Sequence, residues 1–128
     1  MTYTMQRWTS QLSSILEIMY ETEHFLSADQ IYLKLAERDD SVGIATVYRN
    51  LKKLVDMGFI SEVNWKDVRH YTKHPFSNAF FVCEKCGSML RIDISLADQT
   101  YLSNEVGMRV NKWSMRFEGI CTECEKCI

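Results

Sequence analysis

The chain has 128 residues, 46% of them hydrophobic and 25% charged, which suits one or two small globular units and excludes a disordered chain. No stretch approaches the ~20 consecutive apolar residues of a membrane span, and residues 1–8 lack the continuous apolar run of a secretory leader, so a cytoplasmic, membrane-free setting is expected. The formal net charge of −2 hides a segregation: residues 1–40 carry three basic and seven acidic side chains, residues 41–73 six basic and three acidic.

Leu12, Ile15, Leu16, Met19 and Tyr20 repeat at helical spacing and predict an amphipathic first helix. Ser27 followed by Gln30 has the form of a capping box, so a second helix is expected from Ala28 to about Glu37, with Ala28, Ile31, Tyr32 and Leu35 inward. A third starts near Gly43 or Ile44, shares Val47, Leu51, Leu54 and Val55 on one face, and stops at Gly58. The period then shortens. Residues 59–63 and 68–72 flank a polar turn and read as a hairpin, which completes the order of a winged helix-turn-helix over 1–73. Pro75, the only proline, marks a hinge at 74–79. The remainder, 80–128, reads as a small α/β domain. Strands are expected at 80–83 and 89–94, then a helix capped near Ser95 and ended by Gly107, then two strands at 108–113 and 114–119. The fold class is α+β.

Two CxxC pairs, Cys83/Cys86 and Cys121/Cys124, carry the most specific chemistry. In a reducing compartment, five cysteines point to metal rather than disulfides. Two intervening residues let both thiolates of a pair face one tetrahedral ion, and four thiolates favour structural Zn2+. An iron–sulfur cluster and two unrelated pairs are the competing readings. A thioredoxin-like redox motif fits poorly, because neither pair is expected to open a helix within a βαβ unit. Cys127 is a fifth thiol: a substitute ligand, a redox-sensitive group, or an idle tail residue. On the third helix, burial of the apolar stripe turns Ala45, Thr46, Tyr48, Arg49, Lys52 and Lys53 outward. Tyr48 with Lys52, and Arg49 with Lys53, stand four apart on one face, a surface that a DNA major groove accepts. The alternative is an ordinary solvated face.

The segments Ser27-Ala28-Asp29-Gln30-Ile31-Tyr32, Ala45-Thr46-Val47-Tyr48-Arg49-Asn50-Leu51, Phe81-Val82-Cys83-Glu84-Lys85-Cys86-Gly87 and Gly119-Ile120-Cys121-Thr122-Glu123-Cys124 together resemble the ferric uptake regulator family. The resemblance implies a homodimeric repressor of transcription that binds an AT-rich inverted repeat in double-stranded DNA. It further implies a C-terminal domain that dimerises around one structural zinc per subunit. By position, Tyr48 and Arg49 would meet the major groove and Arg7 the minor groove; the outward Thr46 and Lys52 of the same helix are expected beside them. Leu12 stands where the family usually has an arginine.

The departures fall on the family's regulatory metal. Its usual histidines ahead of the first CxxC are Asn78 and Phe80 here, and its helix-two histidine is Phe25. Its acidic ligand is Arg91, its hinge carboxylate falls at Tyr71 or Thr72, and a further histidine is Trp113. His24, His70 and His74 are the remaining imidazoles, either bystanders or a relocated site. The expected function is therefore an operator-binding regulator without the conventional sensing site. The alternative is a zinc-stapled dimeric interaction module that has lost operator binding. No paired carboxylates, phosphate loop or nucleophile–base set suggests an enzyme.

Overall fold

Apolar spacing in the first half of the chain resolves into three helices against a small sheet. The computed structural model describes residues 9–40, 42–73, 79–92 and 99–126, and the chain forms two units, Met1–Pro75 and Phe76–Ile128. In the first unit α1 spans Ser10–Tyr20, β1 Leu26–Ser27, α2 Ala28–Glu37, α3 Ile44–Asp56, β2 Ile60–Trp65 and β3 Val68–Lys73. The strands lie antiparallel in the order β1-β3-β2.

Both reciprocal bonds of the expected capping box form. Gln30 N–H donates to Ser27 Oγ at 3.2 Å and Ser27 N–H to Gln30 Oε1 at 2.8 Å. The stop of α3 is a Schellman motif: Phe59 N–H donates to Leu54 O and Gly58 N–H to Val55 O, with Gly58 at φ +80°. Ile15, Ile31, Val47, Leu51 and Leu54 are fully buried together in the core of this unit. The inward face of α1 differs from expectation. Ile18 is buried beside Leu12, Ile15 and Met19, whereas Tyr20 is half exposed with the Lys73 ammonium 6.0 Å from its ring centre. The last turn of α1 thus offers its aromatic ring to a cation instead of the core. The hairpin is longer than expected. Its ladder runs to Trp65 opposite Val68, and the two loop residues Lys66 and Asp67 both take positive φ, the geometry that matches strand twist in a two-residue loop. Strand β1, too short to carry a periodicity, was not foreseeable from pattern.

In the second unit β4 spans Ala79–Cys83, β5 Met89–Arg91, α4 Gln99–Val106, β6 Met115–Gly119 and α5 Thr122–Glu125. The sheet order is β5-β4-β6, with β5 antiparallel and β6 parallel to β4. The expected strand at 108–113 does not form. β4 already has a partner on each edge, and Val110 N–H instead donates to Ser103 Oγ of α4 at 2.9 Å. Asp93, Ile94 and the expected cap at Ser95 lie outside the described residues. No helix among the described residues is long and apolar enough to cross a membrane.

One buried group sits uneasily. Thr72 on β3 is 1% exposed, and its Oγ1 has no hydrogen-bond partner among the described residues. A buried hydroxyl without a partner costs about 1–3 kcal/mol. Thr72→Val keeps the shape and removes the oxygen, so it is expected to raise the urea midpoint by an amount worth about 1 kcal/mol. A lowered midpoint would mean that the hydroxyl is satisfied.

Candidate metal centre and nucleic-acid interface

The four cysteines of the CxxC pairs are gathered by the sheet. β4 ends at Cys83, and the chain reverses through residues 84–88. In that turn Gly87 N–H donates to Cys83 O and Cys83 N–H to Ser88 O, both at 3.0 Å. Gly87 at φ +78° permits the reversal that swings Cys86 back beside Cys83. Because β6 runs parallel to β4 with Gly119 opposite Cys83, the second pair leaves the sheet at the same end. Glu84 N–H donates to Gly119 O at 2.7 Å and fastens the two exits. All four Sγ atoms lie within 4.8 Å of one another, with Cys83–Cys124 at 3.7 Å and Cys86–Cys121 at 3.8 Å. Four sulfurs at about 2.3 Å from a tetrahedral zinc are about 3.8 Å apart. The cluster fits a closed, four-thiolate metal site.

The electrostatics divide the thiols. Cys83 Sγ accepts the N–H of Cys121 at 3.4 Å and of Cys86 at 3.5 Å, and these bonds, Cys121's first, hold its pKa at about 6. Cys86 is lowered by the Ser88 hydroxyl, 3.1 Å from its sulfur. Cys124 is pushed up to about 12, chiefly by the neighbouring Cys121 thiol and then by burial. Cys83 and Cys86 thus ionise more readily than an ordinary thiol, and Cys124 less readily. A divalent cation held by Cys83, Cys86, Cys121 and Cys124 would favour the thiolate form of all four. Cys121 proves to be the N-cap of the one-turn helix α5, which no strand follows among the described residues, so the pair does not open a helix within a βαβ unit. That helix delivers Cys124 to a shared centre with the first pair, and the arrangement is not an isolated redox pair.

On α3 the buried stripe of Val47, Leu51 and Leu54 fixes the outward face. Tyr48, Arg49 and Lys52 are exposed, while Thr46 is half-buried and its Oγ1 accepts from Arg49 Nη2 at 3.0 Å. Lys52 Nζ lies 3.8 Å from Asp56 Oδ2, a loose exposed pair. The wing contributes more than its sequence suggested. Glu62 stands opposite Tyr71 in the ladder, and both line a cleft of about 320 Å3 against α3 together with Arg69, Tyr48, Arg49 and Lys52. Burial, and then the Glu62 carboxylate, push the Tyr71 phenol up, while Arg69 pulls it back down. Arg69 and Tyr71 are two apart on a strand, so their shared face was legible, but not that the face turns towards α3. Arg7 lies outside the described residues.

The positions of the conventional regulatory ligands have other occupations. Phe25 is 3% exposed in the first unit and Phe80 6% in the second, both packed as core residues. Arg91 on β5 pairs with Phe80. His24 is exposed. His70 has its Nδ1 3.0 Å from Val68 O and is lowered by burial. Among the described residues, neither histidine joins a group of three or more converging ligands; the four-cysteine cluster is the group found. His74, Asn78 and Cys127 lie outside the described residues.

Comparison with known proteins agrees with this architecture. A model of the ferric uptake regulator family matches residues 4–118. The ferric uptake regulation protein of Bacillus subtilis (strain 168) is 28% identical over 124 residues, covering 91% of this chain and 83% of that protein. The structure of the Helicobacter pylori ferric uptake regulator, described as having three functional metal-binding sites, shares the fold with a TM-score of 0.77 at 20% identity, over 97% of this chain and 85% of that one. A zinc uptake regulator complexed with zinc and DNA shares it with a TM-score of 0.68 at 23% identity, over 94% and 85% of the two chains. With a family match across most of its length, a winged helix-turn-helix and a four-cysteine cluster, the chain belongs to the ferric uptake regulator family: it is a DNA-binding, metal-handling regulator of transcription and not an enzyme.

Proposed function

We propose that this protein is a homodimeric cytoplasmic repressor that binds an AT-rich inverted repeat, is stapled by one structural zinc per subunit, and works without the family's regulatory metal. The exposed Tyr48–Arg49–Lys52 face of α3, with half-buried Thr46 at its edge and a two-stranded wing beside it, carries the reading. Such a helix fits the major groove. Arginine can fork onto guanine or phosphate, and lysine supplies a point charge to the backbone. Arg7 is assigned the minor-groove contact by its position in the family pattern. The zinc uptake regulator that shares this fold is complexed with DNA, which supports the same use here.

Three features support the remaining parts. Four thiolates at tetrahedral spacing, with no position left for a substrate, favour structural zinc held by Cys83, Cys86, Cys121 and Cys124. The second unit exposes Tyr101, Val106, Met108, Phe117 and Ile120 and places β6 at the edge of its sheet, the surface of a chain that meets a second copy. A twofold dimer in turn matches an inverted repeat. The Helicobacter pylori protein has three functional metal-binding sites; here phenylalanine at 25 and 80 cannot ligate, and Arg91 adds a positive charge where a carboxylate would neutralise a cation.

Selection of bound sequences from a random duplex pool, followed by fluorescence anisotropy, tests the reading; no enrichment would overturn it. Arg49→Ala is expected to lose about 1–3 kcal/mol on the selected site if the guanidinium reads a base. Lys52→Ala should weaken all duplexes alike and lower the salt slope by about one. For the staple, Cys86→Ser should lose most of its zinc by elemental analysis, and with it much of the dimer in sedimentation; full metal content in that variant would refute the ligand set. For the missing sensor, chelation that leaves the structural zinc, followed by iron, manganese or zinc in turn, should change operator affinity by less than about tenfold, or ~1.4 kcal/mol of coupling. A larger restoration would reveal a sensing site, with His24, His70 and His74 the residues to mutate.

A further inference from the structure

Two clefts flank Tyr48 in the first unit. One, of about 320 Å3, lies between α3 and the wing strands and is lined by Arg49, Lys52, Asp56, Glu62 and Arg69 among others. The second, of about 350 Å3, opens towards α2 and the wing turn and is lined by Ser27, Asp29, Asp67, Val68 and Arg69 among others. Tyr48 and Arg69 belong to both walls, so an aromatic ring from the helix and a guanidinium from the wing form the ridge between them. Each cleft holds two carboxylates, Asp56 with Glu62 and Asp29 with Asp67.

We infer that Arg69 is a DNA-contact residue, its guanidinium binding a backbone phosphate beside the groove that α3 enters. The inference rests on the DNA-binding reading of α3 and extends that interface onto the wing. Arg69 is exposed on β3, held by its pairing with β2 and one residue beyond the ladder that β3 makes with β1. Across the ladder stands neutral Asn64, and the next residue on the same face is Tyr71, which lines the first cleft together with Arg69. The charge pattern selects the ridge. The second cleft sets Asp29 and Asp67 against Arg69 alone and repels a phosphodiester; the first sets Arg49, Lys52 and Arg69 against Asp56 and Glu62, so an anion is drawn to that cationic strip. The planar fork of arginine suits two phosphate oxygens at once. A phosphate held there fixes the register of α3 without reading sequence.

The test uses the full chain and two labelled duplexes, one selected by the wild type from a random pool and one scrambled, titrated over a range of salt. Arg69→Ala should weaken both duplexes by about the same factor, on the order of tenfold at low salt, and lower the salt slope by about one. Arg69→Lys should keep the slope. Urea unfolding of each variant should match the wild type, as expected for an exposed side chain. Unchanged affinity and slope in Arg69→Ala, while Arg49→Ala loses binding, would overturn the inference and leave the proposed function standing. A loss confined to the selected duplex with the slope intact would mark a base contact and overturn the phosphate assignment. If the wild type binds no duplex, the proposed function falls and this inference with it.

Discussion

Four sulfur atoms within 4.8 Å of one another set the terms for the second unit. The sheet that assembles them is small: among its described residues only Ala79, Phe80, Val82, Cys83 and Met89 are buried. Such a core contributes roughly 1.5–3 kcal/mol per large side chain, against the entropy of ordering its strands. A structural zinc contributes on the order of 10 kcal/mol, enough to decide whether the unit folds. The thiols also conflict when no cation lies between them, as the opposite displacements of Cys83 and Cys124 indicate. A metal held by the four cysteines would therefore couple its own binding to the folding of this unit.

The first unit rests on a different footing. Its core draws on α1, α2, α3 and the wing together, with Ile15, Ile31, Val47, Leu51 and Leu54 fully buried. The same stripe that buries α3 determines which of its residues point away, so packing and recognition are two faces of one helix. A change at Leu51 would therefore tilt Tyr48 and Arg49 even though neither side chain shares its surroundings. The wing is equally constrained. Its two-residue turn with Lys66 and Asp67 at positive φ locks the register that puts Glu62, Arg69 and Tyr71 opposite the helix.

Much of this was legible because the relevant signals are local. The capping box at Ser27, the stop at Gly58 and the helical stripe of α3 all depend on residues within one or two turns, where side chain and backbone meet whatever the rest of the chain does. The CxxC pairs were legible for a chemical reason, since few other patterns place four soft ligands. What escaped was set at long range. β1 is two residues that pair with β3 because the tertiary fold brings them there. The alternating residues at 108–113 looked like a strand, yet a strand needs a free edge, and β4 had none to give. α5 is four residues long, shorter than any period can reveal. The partnership of Arg69 with α3 required knowing which face of the hairpin turns inward.

The altered regulatory positions follow the same logic of burial. A metal ligand must be polar, deprotonated and oriented, and it is costly to bury when the metal is away. Phe25 and Phe80 carry none of that burden and are packed in the cores of their own units at 3% and 6% exposure. Restoring an imidazole at either place would put an unpaired polar ring into apolar surroundings, so the reversion carries a stability penalty that single substitutions elsewhere would have to offset. Under the proposed function Phe25 and Phe80 give a second metal no ligand through which to favour one state over another, and a ligand without differential affinity shifts no equilibrium. The proposed function therefore gives the closed four-thiolate cluster an architectural role and leaves recognition to α3 and its flanking wing.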